Sequence, residues 1–426
     1  MNWWQKTLQI FKVRELRNKI LFVLMILVIF RLVANLPIPG IDASRLKSFF
    51  EGNQLFGLLN MFTGGAMKNL SIAMLGMGPY ITGVIIMQLL TMIFPRLEAI
   101  YKEEGEAGRQ KFNQYGRLLT VPLAAMSAYG MIALLRAQQI IGNLSPFQLI
   151  TTVTVVIGGT VFLMWLGELI SEKGIGNGVS LLIFAGIVAG FPSSLRQILV
   201  NWNPANIPSY IGFLVIAVAV IVGVVIITEG RRNIQIYYAK RVRGNKMYGG
   251  VSSYLPMNVN PAGVMPIIFA LSFMMMPGML GAFFANSSIH WVATAAVFLR
   301  DMFSRGQTLY SVIYFLLVVL FTYFYTAVTF DPKNISNNLQ KMGGFVPGIR
   351  PGRPTAEFLN FILNRVLLIG AISLGIIAVA PYVVQGATGV TAFQVGGTSI
   401  LIVVSVVLET LRQIGSQLTM REYEGF

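Results

Sequence analysis

Ten apolar stretches, each close to the ~20 residues a helix needs to cross ~30 Å of hydrocarbon, recur along this 426-residue chain. They cover 20–36, 70–94, 118–139, 149–170, 179–195, 210–228, 262–285, 308–328, 362–384 and 395–411. Soluble domains carry about 25% charged residues; here 11% are charged and 55% hydrophobic. One protein of this size cannot hide that much apolar surface in its own core, so the excess faces lipid. The expected fold is therefore an all-α polytopic membrane protein with ten transmembrane helices. An even number of spans leaves both termini on one face. The N-terminal segment carries five Lys+Arg before residue 20 and no small-residue cleavage site, so span 1 is expected to be a retained helix.

Charge sets the orientation. Segments 1–19, 95–117, 171–178, 229–261, 329–361 and 412–426 hold 23 of the 32 Lys+Arg, against 6 in 37–69, 140–148, 196–209, 286–307 and 385–394. By the positive-inside rule the first set, both termini included, is cytoplasmic. The remaining three, Arg31, Arg136 and Arg365, sit inside spans but within about two turns of an end, where a long side chain reaches the headgroups. They are read as interfacial anchors, the other reading being that one of them lines a pore.

Much chemistry is excluded. The chain has no cysteine, hence no disulfide, thiolate metal site or cysteine nucleophile, and its single histidine, His290, falls in an outer loop. No phosphate loop of the GxxxxGK[ST] type is present, so an energy source must come from outside. The only span carboxylates, Glu168 and Glu409, lie within a turn of cytoplasmic span ends. A proton-coupled transporter usually carries such groups near the midplane, and a membrane-embedded enzyme needs paired acids, bases or metal ligands there. The expected interior is apolar. A narrow aliphatic collar excludes water and ions by dewetting and makes no demand on the chemistry of a cargo. A polypeptide crossing lipid unaided would leave every backbone N–H and C=O unsatisfied, so an aqueous path through protein suits it.

Five spans precede the outer loop 196–209 and five follow it. An odd count per half inverts the topology of one half relative to the other. The chain thus divides into a cytoplasmic segment 1–19, an N-terminal half 20–195, the external loop 196–209, a C-terminal half 210–411 and a cytoplasmic tail 412–426. Span 2 contains Gly78-Pro79, and span 7 contains Pro266 with Pro277 further on. Proline inside a helix removes a hydrogen bond and bends it, so these spans are expected to be interrupted, and either move or line a pathway, unless the prolines are ordinary transmembrane ones. The outer stretch Asn53-Gln54-Leu55-Phe56-Gly57-Leu58-Leu59-Asn60-Met61-Phe62-Thr63-Gly64-Gly65-Ala66 is apolar but too short to span. It suits a re-entrant or buried helix, or an interfacial helix on the outer leaflet.

Several glycine-anchored motifs, ordered along the ten spans, resemble one family. They are Leu36-Pro37-Ile38-Pro39-Gly40, Asn60-Met61-Phe62-Thr63-Gly64-Gly65, Pro79-Tyr80-Ile81 and Lys102-Glu103-Glu104-Gly105-Glu106. Further on come Gly174-Ile175-Gly176-Asn177-Gly178, Tyr238-Ala239-Lys240-Arg241, Phe345-Val346-Pro347-Gly348-Ile349-Arg350-Pro351-Gly352 and Gly396-Gly397-Thr398-Ser399. Over essentially its whole length the chain resembles the SecY family, the channel-forming subunits of the bacterial Sec preprotein translocase.

The resemblance implies a clamshell of spans 1–5 and 6–10 hinged at 196–209, with a lateral gate between spans 2 and 7. It places a pore ring at Met77, Ile81, Ile183, Ile187, Ile268 and Ile402, where Met77 departs from the usual isoleucine. Without it, any one of these is read as ordinary helix packing. It makes segment 53–66 a plug, and sets Gln88 facing the gate with Pro79 and Pro266; from the residue alone Gln88 is equally an interhelical hydrogen-bonder. The cationic tip Arg241, Arg243 and Lys246 of loop 229–261, and Arg350 of loop 329–361, would meet ribosomal RNA phosphates and the motor ATPase SecA. Further implied partners are SecE, SecG, signal sequences, nascent chains and membrane lipid, in a bacterial plasma membrane, with no cofactor, metal or enzymatic step. The expected function is passage of unfolded polypeptides across the membrane with sideways release of apolar helices. The alternative is an inverted-repeat secondary transporter of a small solute.

Overall fold

The computed structural model of the chain describes residues 13–38, 63–67, 69–137, 141–142, 145–200, 207–238, 241–243, 246–248, 252–284, 289–302, 308–388 and 397–424. A helix lies over each of the ten apolar stretches. In the first half these are α1 (Arg14–Val33), α2 (Gly78–Ile93), α4 (Gly105–Ala137), α5 (Pro146–Lys173) and α6 (Gly178–Val200), with a short α3 (Pro95–Lys102) after α2. In the second they are α7 (Ile207–Glu229), α8 (Met265–Phe284), α10 (Thr308–Thr329), α12 (Arg353–Thr388) and α13 (Gly397–Glu424), with α9 (His290–Met302) and α11 (Pro332–Lys341) between them. Among the described residues, five helices are long and apolar enough on their own to cross a membrane, and α2 with α3 makes a sixth bent by 110°.

Two expectations about the prolines are corrected. Pro79 does not interrupt a span running from residue 70: it stands in the first turn of α2, and the chain from Thr63 to Met77 is a series of turns. Gly76 takes φ +55, a left-handed backbone that helices do not propagate, and proline's missing N–H is harmless in a first turn. Pro266 likewise sits one residue into α8, so of the two span-7 prolines only Pro277 is inside the helix. The sharp bend near span 2 instead falls at Phe94, where the extended cap residue precedes Pro95.

Loops 229–261 and 329–361 add a small sheet to the helical body. β1 (Arg231–Tyr238) pairs antiparallel with β4 (Ser252–Asn258) and, on its other edge, with β5 (Gly344–Phe345), in the order β4-β1-β5. Alternation buries Ile234 and Ile236 on one face of β1. They join Met257, Val346, Leu359, Ile362 and Leu363 in a satellite core that seats the sheet on α12. β2 (Arg241–Arg243) and β3 (Lys246–Tyr248) form a second hairpin beyond it.

Helix packing brings the halves together. α2 and α4 both lie against α8, and α6 lies against α13. Glycines permit the tightest approaches: a Cβ on Gly159 of α5 would lie 2.0 Å from the carbonyl oxygen of Ile72, and one on Gly370 of α12 would lie 2.3 Å from that of Val259. The largest hydrophobic cluster draws on helices of both halves.

Candidate pore and gate

The six residues expected at the collar lie near starts or middles of four helices. Met77 is the N-cap of α2 and Ile81 stands one turn on; Ile183 and Ile187 are one turn apart on α6, and therefore share a face. Ile268 and Ile402 follow in the first turns of α8 and α13. Each is 7% exposed or less. All six belong to a single buried cluster. Gly167 of α5 makes room for the flexible Met77 side chain, since a Cβ there would lie 3.3 Å from Met77 Cε.

Of the segment expected as a plug, Asn53, Leu55, Phe56, Leu58, Leu59, Asn60, Met61 and Phe62 lie outside the described residues. Thr63, Gly64 and Gly65 are described, and they turn beside the cluster. Gly64 and Gly65 have φ of +67 and +86, conformations that glycine tolerates without a Cβ penalty. A Cβ on Gly64 would lie 3.0 Å from the Phe30 ring and 3.2 Å from Cα of Gly186, which stands between Ile183 and Ile187. Thr63 is buried, with its methyl 3.0 Å from where a Cβ of Gly76 would be. The end of this segment is thus wedged between α1 and α6, next to Met77.

Arg31 does more than the anchor reading supposed. Its guanidinium donates to the Gly64 carbonyl. One turn on, Asn35 donates to the Arg31 carbonyl at 2.8 Å and accepts from Asn69 at 3.0 Å. Ser71 donates to the Val33 carbonyl at 2.7 Å, and the Pro37–Ser71 bridge closes the same joint.

On α2, the Gln88 side-chain oxygen is buried and finds no donor among the described residues; its backbone carbonyl accepts from Thr91 at 2.7 Å. The structure does not make the Gln88 oxygen an interhelical hydrogen-bonder. Behind α8, Phe269 meets Phe321 and Tyr325 of α10 edge-on at 6.1 and 5.8 Å, and Phe273 meets Phe321 at 6.1 Å. Such geometry suits aromatic quadrupoles and couples α8 to α10.

Among the loop cations, Arg243 pairs with Lys246 and Arg241 with Tyr248 across the β2–β3 hairpin. Arg350 is exposed on a turn held from both sides: its carbonyl accepts from Thr355 at 2.8 Å, and Ser336 donates to the Gly352 carbonyl at 2.6 Å. At the C-terminal end of α7, Arg412 bonds the Thr228 carbonyl at 2.7 Å and the Glu229 carboxylate at 2.8 Å. That hydrogen bond holds the Glu229 carboxyl below its ordinary value. No group of three metal-ligating side chains occurs among the described residues.

The SecY family profile matches residues 71–411. Protein translocase subunit SecY of Streptomyces coelicolor is 45% identical over 432 residues, covering 98% of each chain. This chain belongs to the SecY family. Two solved structures share its fold. One is of a SecY protein whose plug domain stabilises the closed state of the translocation channel and maintains a membrane seal, with TM-score 0.66 at 19% identity, covering 93% of this chain and 91% of that one. The other is Sec61 in the canine ribosome–channel complex from the endoplasmic reticulum, with TM-score 0.63 at 18% identity and the same coverage. This SecY-family chain is a multi-pass membrane protein.

Three polar features of this SecY-family chain escape a reading by spans alone. The depth of Arg31 in its span does not name its partner, the Gly64 carbonyl. Glu168 pairs with Arg117 at 2.6 Å, and the position of both at ends of neighbouring spans is the sequence signal for that pair. The bond from the Gly176 N–H to Gln413 joins residues 237 apart, and no local pattern foretells it.

Proposed function

We propose that this chain is the central pore subunit of a protein-conducting channel, passing unfolded, signal-bearing polypeptides across the membrane and releasing apolar helices sideways into lipid. The observation that carries this reading is the buried cluster of Met77, Ile81, Ile183, Ile187, Ile268 and Ile402, with the turn at Gly64 packed against the helix that bears two of them. Apolar side chains drawn from four helices into one buried cluster would seal by dewetting and discriminate little among cargo side chains. Segment 53–66 acts as the plug. The halves 20–195 and 210–411 hinge at 196–209, and Pro79, Gln88 and Pro266 flank the gate between α2 and α8.

A signal's apolar core enters that gate because each Leu, Ile, Phe or Val favours the bilayer centre by about 0.3–0.6 kcal/mol. Opening displaces the plug and widens the ring. The chain catalyses nothing; a motor, a ribosome or the membrane potential drives transport. Arg241, Arg243, Lys246 and Arg350 receive ribosomal RNA and the motor SecA, a reading supported on the ribosome side by the Sec61 relative in a ribosome–channel complex. SecE and SecG complete the complex, in a bacterial plasma membrane with both termini cytoplasmic.

The test is reconstitution. Proteoliposomes holding the channel complex, SecA and ATP protect an added preprotein from external protease. Accumulation of a small solute without such protection would instead make the protein an inverted-repeat transporter.

A further inference from the structure

We propose that the exposed face of α9 is a lipid-binding surface: Trp291 and Phe298 enter the bilayer border and moor the end of α8 to it. The inference uses only the multi-pass placement of the chain and stands apart from the pore reading. α9 is apolar on both sides. Ala296 is buried and Val292, Ala293 and Val297 are half-buried on one face, and the helix packs against α8. On the opposite face Trp291, Ala295 and Phe298 recur at i, i+4 and i+7, and the two aromatic residues are 74% and 70% exposed.

A helix with one apolar stripe is satisfied by one neighbour, whereas a helix apolar all round needs a second apolar phase. From Val292 to Phe298 the only side chain with a hydrogen-bonding group is Thr294, and its hydroxyl donates to the His290 carbonyl at 2.9 Å. Nothing in that stretch requires water. The Trp291 indole N–H, at its edge, suits the wet headgroup layer. Chain length fixes where the second phase lies. Residues 285–289 join α8 to α9, and residues 303–307 join α9 to α10. At about 3.3–3.6 Å per residue each connection reaches at most ~20 Å, so α9 stays at the membrane border where those two spans end. The span that follows carries an exposed apolar stripe of its own at Leu309, Val312, Leu316 and Leu320. A protein partner would need a larger patch: two aromatic side chains bury about 150–250 Å² each, on the order of 300–500 Å² together, short of the ~800 Å² per side of a standard interface. An interfacial helix only sinks its apolar face about 5–10 Å into the headgroup boundary. Because α9 packs on α8, its hold on the bilayer is a hold on that helix.

The test uses the full channel complex in vesicles of equal parts phosphatidylethanolamine and phosphatidylglycerol. Since the chain has no cysteine, nitroxide labels at Trp291→Cys, Phe298→Cys, Val292→Cys and, as an aqueous reference, the exposed Met342→Cys report collisions with oxygen, which concentrates in lipid, and with a nickel chelate, which stays in water. At Trp291→Cys and Phe298→Cys the oxygen-to-nickel ratio is expected to be about tenfold above that at Met342→Cys, a differential of ~1.4 kcal/mol. At Val292→Cys both collision rates are expected to be low, as on a protein-covered face. A high nickel rate at the two aromatic positions would place the face in water, and low rates with both reagents would place it under protein; either overturns the proposal. If the labels impair assembly, the native Trp291 decides. The emission missing from Trp291→Phe is expected to be quenched by brominated lipid and not by aqueous iodide; quenching by iodide, or by neither, overturns the mooring.

Discussion

Gln413 on α13 accepts the backbone N–H of Gly176 at 2.8 Å, tying the turn between α5 and α6 to the last helix of the other half. Gly176 has φ +94 and no room for a Cβ, which would lie 2.8 Å from a methyl of Leu181 and 3.5 Å from the Thr410 hydroxyl. The turn therefore presents its N–H to α13 because a glycine is there. Gln413→Ala leaves that partly buried donor unpaired and is expected to cost about 1–3 kcal/mol. A detergent-solubilised complex melting at the parental temperature would show that the bond is not made.

The collar predicts a graded seal. Ile187→Asn or Ile402→Asn puts an amide among buried aliphatic side chains, which favours a hydrated waist over a dry one. Both variants are expected to leak ions at rest and to export preproteins with weakened signal sequences. Parental leak together with parental signal stringency in both would falsify the collar.

Gly159 predicts a packing defect. In Gly159→Ala the new methyl would meet the Ile72 carbonyl at 2.0 Å, backbone against helix, with no flexible side chain to yield. Overpacking of this kind typically costs about 1–3 kcal/mol, and the turns from Ile72 lead straight to Met77. The expected result is a lower melting temperature and a raised resting leak. Wild-type values for both would mean that α5 stands further from Ile72.

Arg350 predicts a docking defect. Its turn is braced by Thr355 and Ser336, so Arg350→Glu changes charge on a fixed scaffold. SecA-driven export is expected to fall at least tenfold while the amount of channel in the membrane is unchanged. Equal export by mutant and parent would remove Arg350 from the contact.

Glu229 predicts a pH dependence. Its carboxyl is held low by Arg412 first, then by the charge and hydrogen bond of Arg231. A depressed folded-state value stabilises above the ordinary carboxylate value and is lost as pH falls through the lowered one. Glu229→Gln is thus expected to melt below the parent near neutral pH and together with it in strong acid; an equal gap at both would contradict the pairing.

The ten helices were legible because hydropathy at membrane length is a strong signal, and the basic loops gave them direction. The start of α2 was not. An apolar run from 70 to 94 reads as one span, and only the left-handed Gly76 and the first-turn Pro79 explain why the helix begins at Gly78. The sheet was written in the alternation around Ile234 and Ile236, but loop 229–261 had been read for charge alone. The six collar residues could not be picked by spacing, since any of them would suit ordinary helix packing; they came from the motifs shared with the SecY family. Arg31 shows the remaining limit: depth in the membrane is visible in one span, whereas its partner 33 residues away is a matter of tertiary approach.

The strand β1 holds β4 on one edge and β5 on the other. β4 runs through residues 259–264 directly into α8, and β5 precedes α12, against which Gly370 lets Val259 lie. A displacement of either arm therefore bears on α8 and α12 together, because one strand clamps the two segments that lead into them.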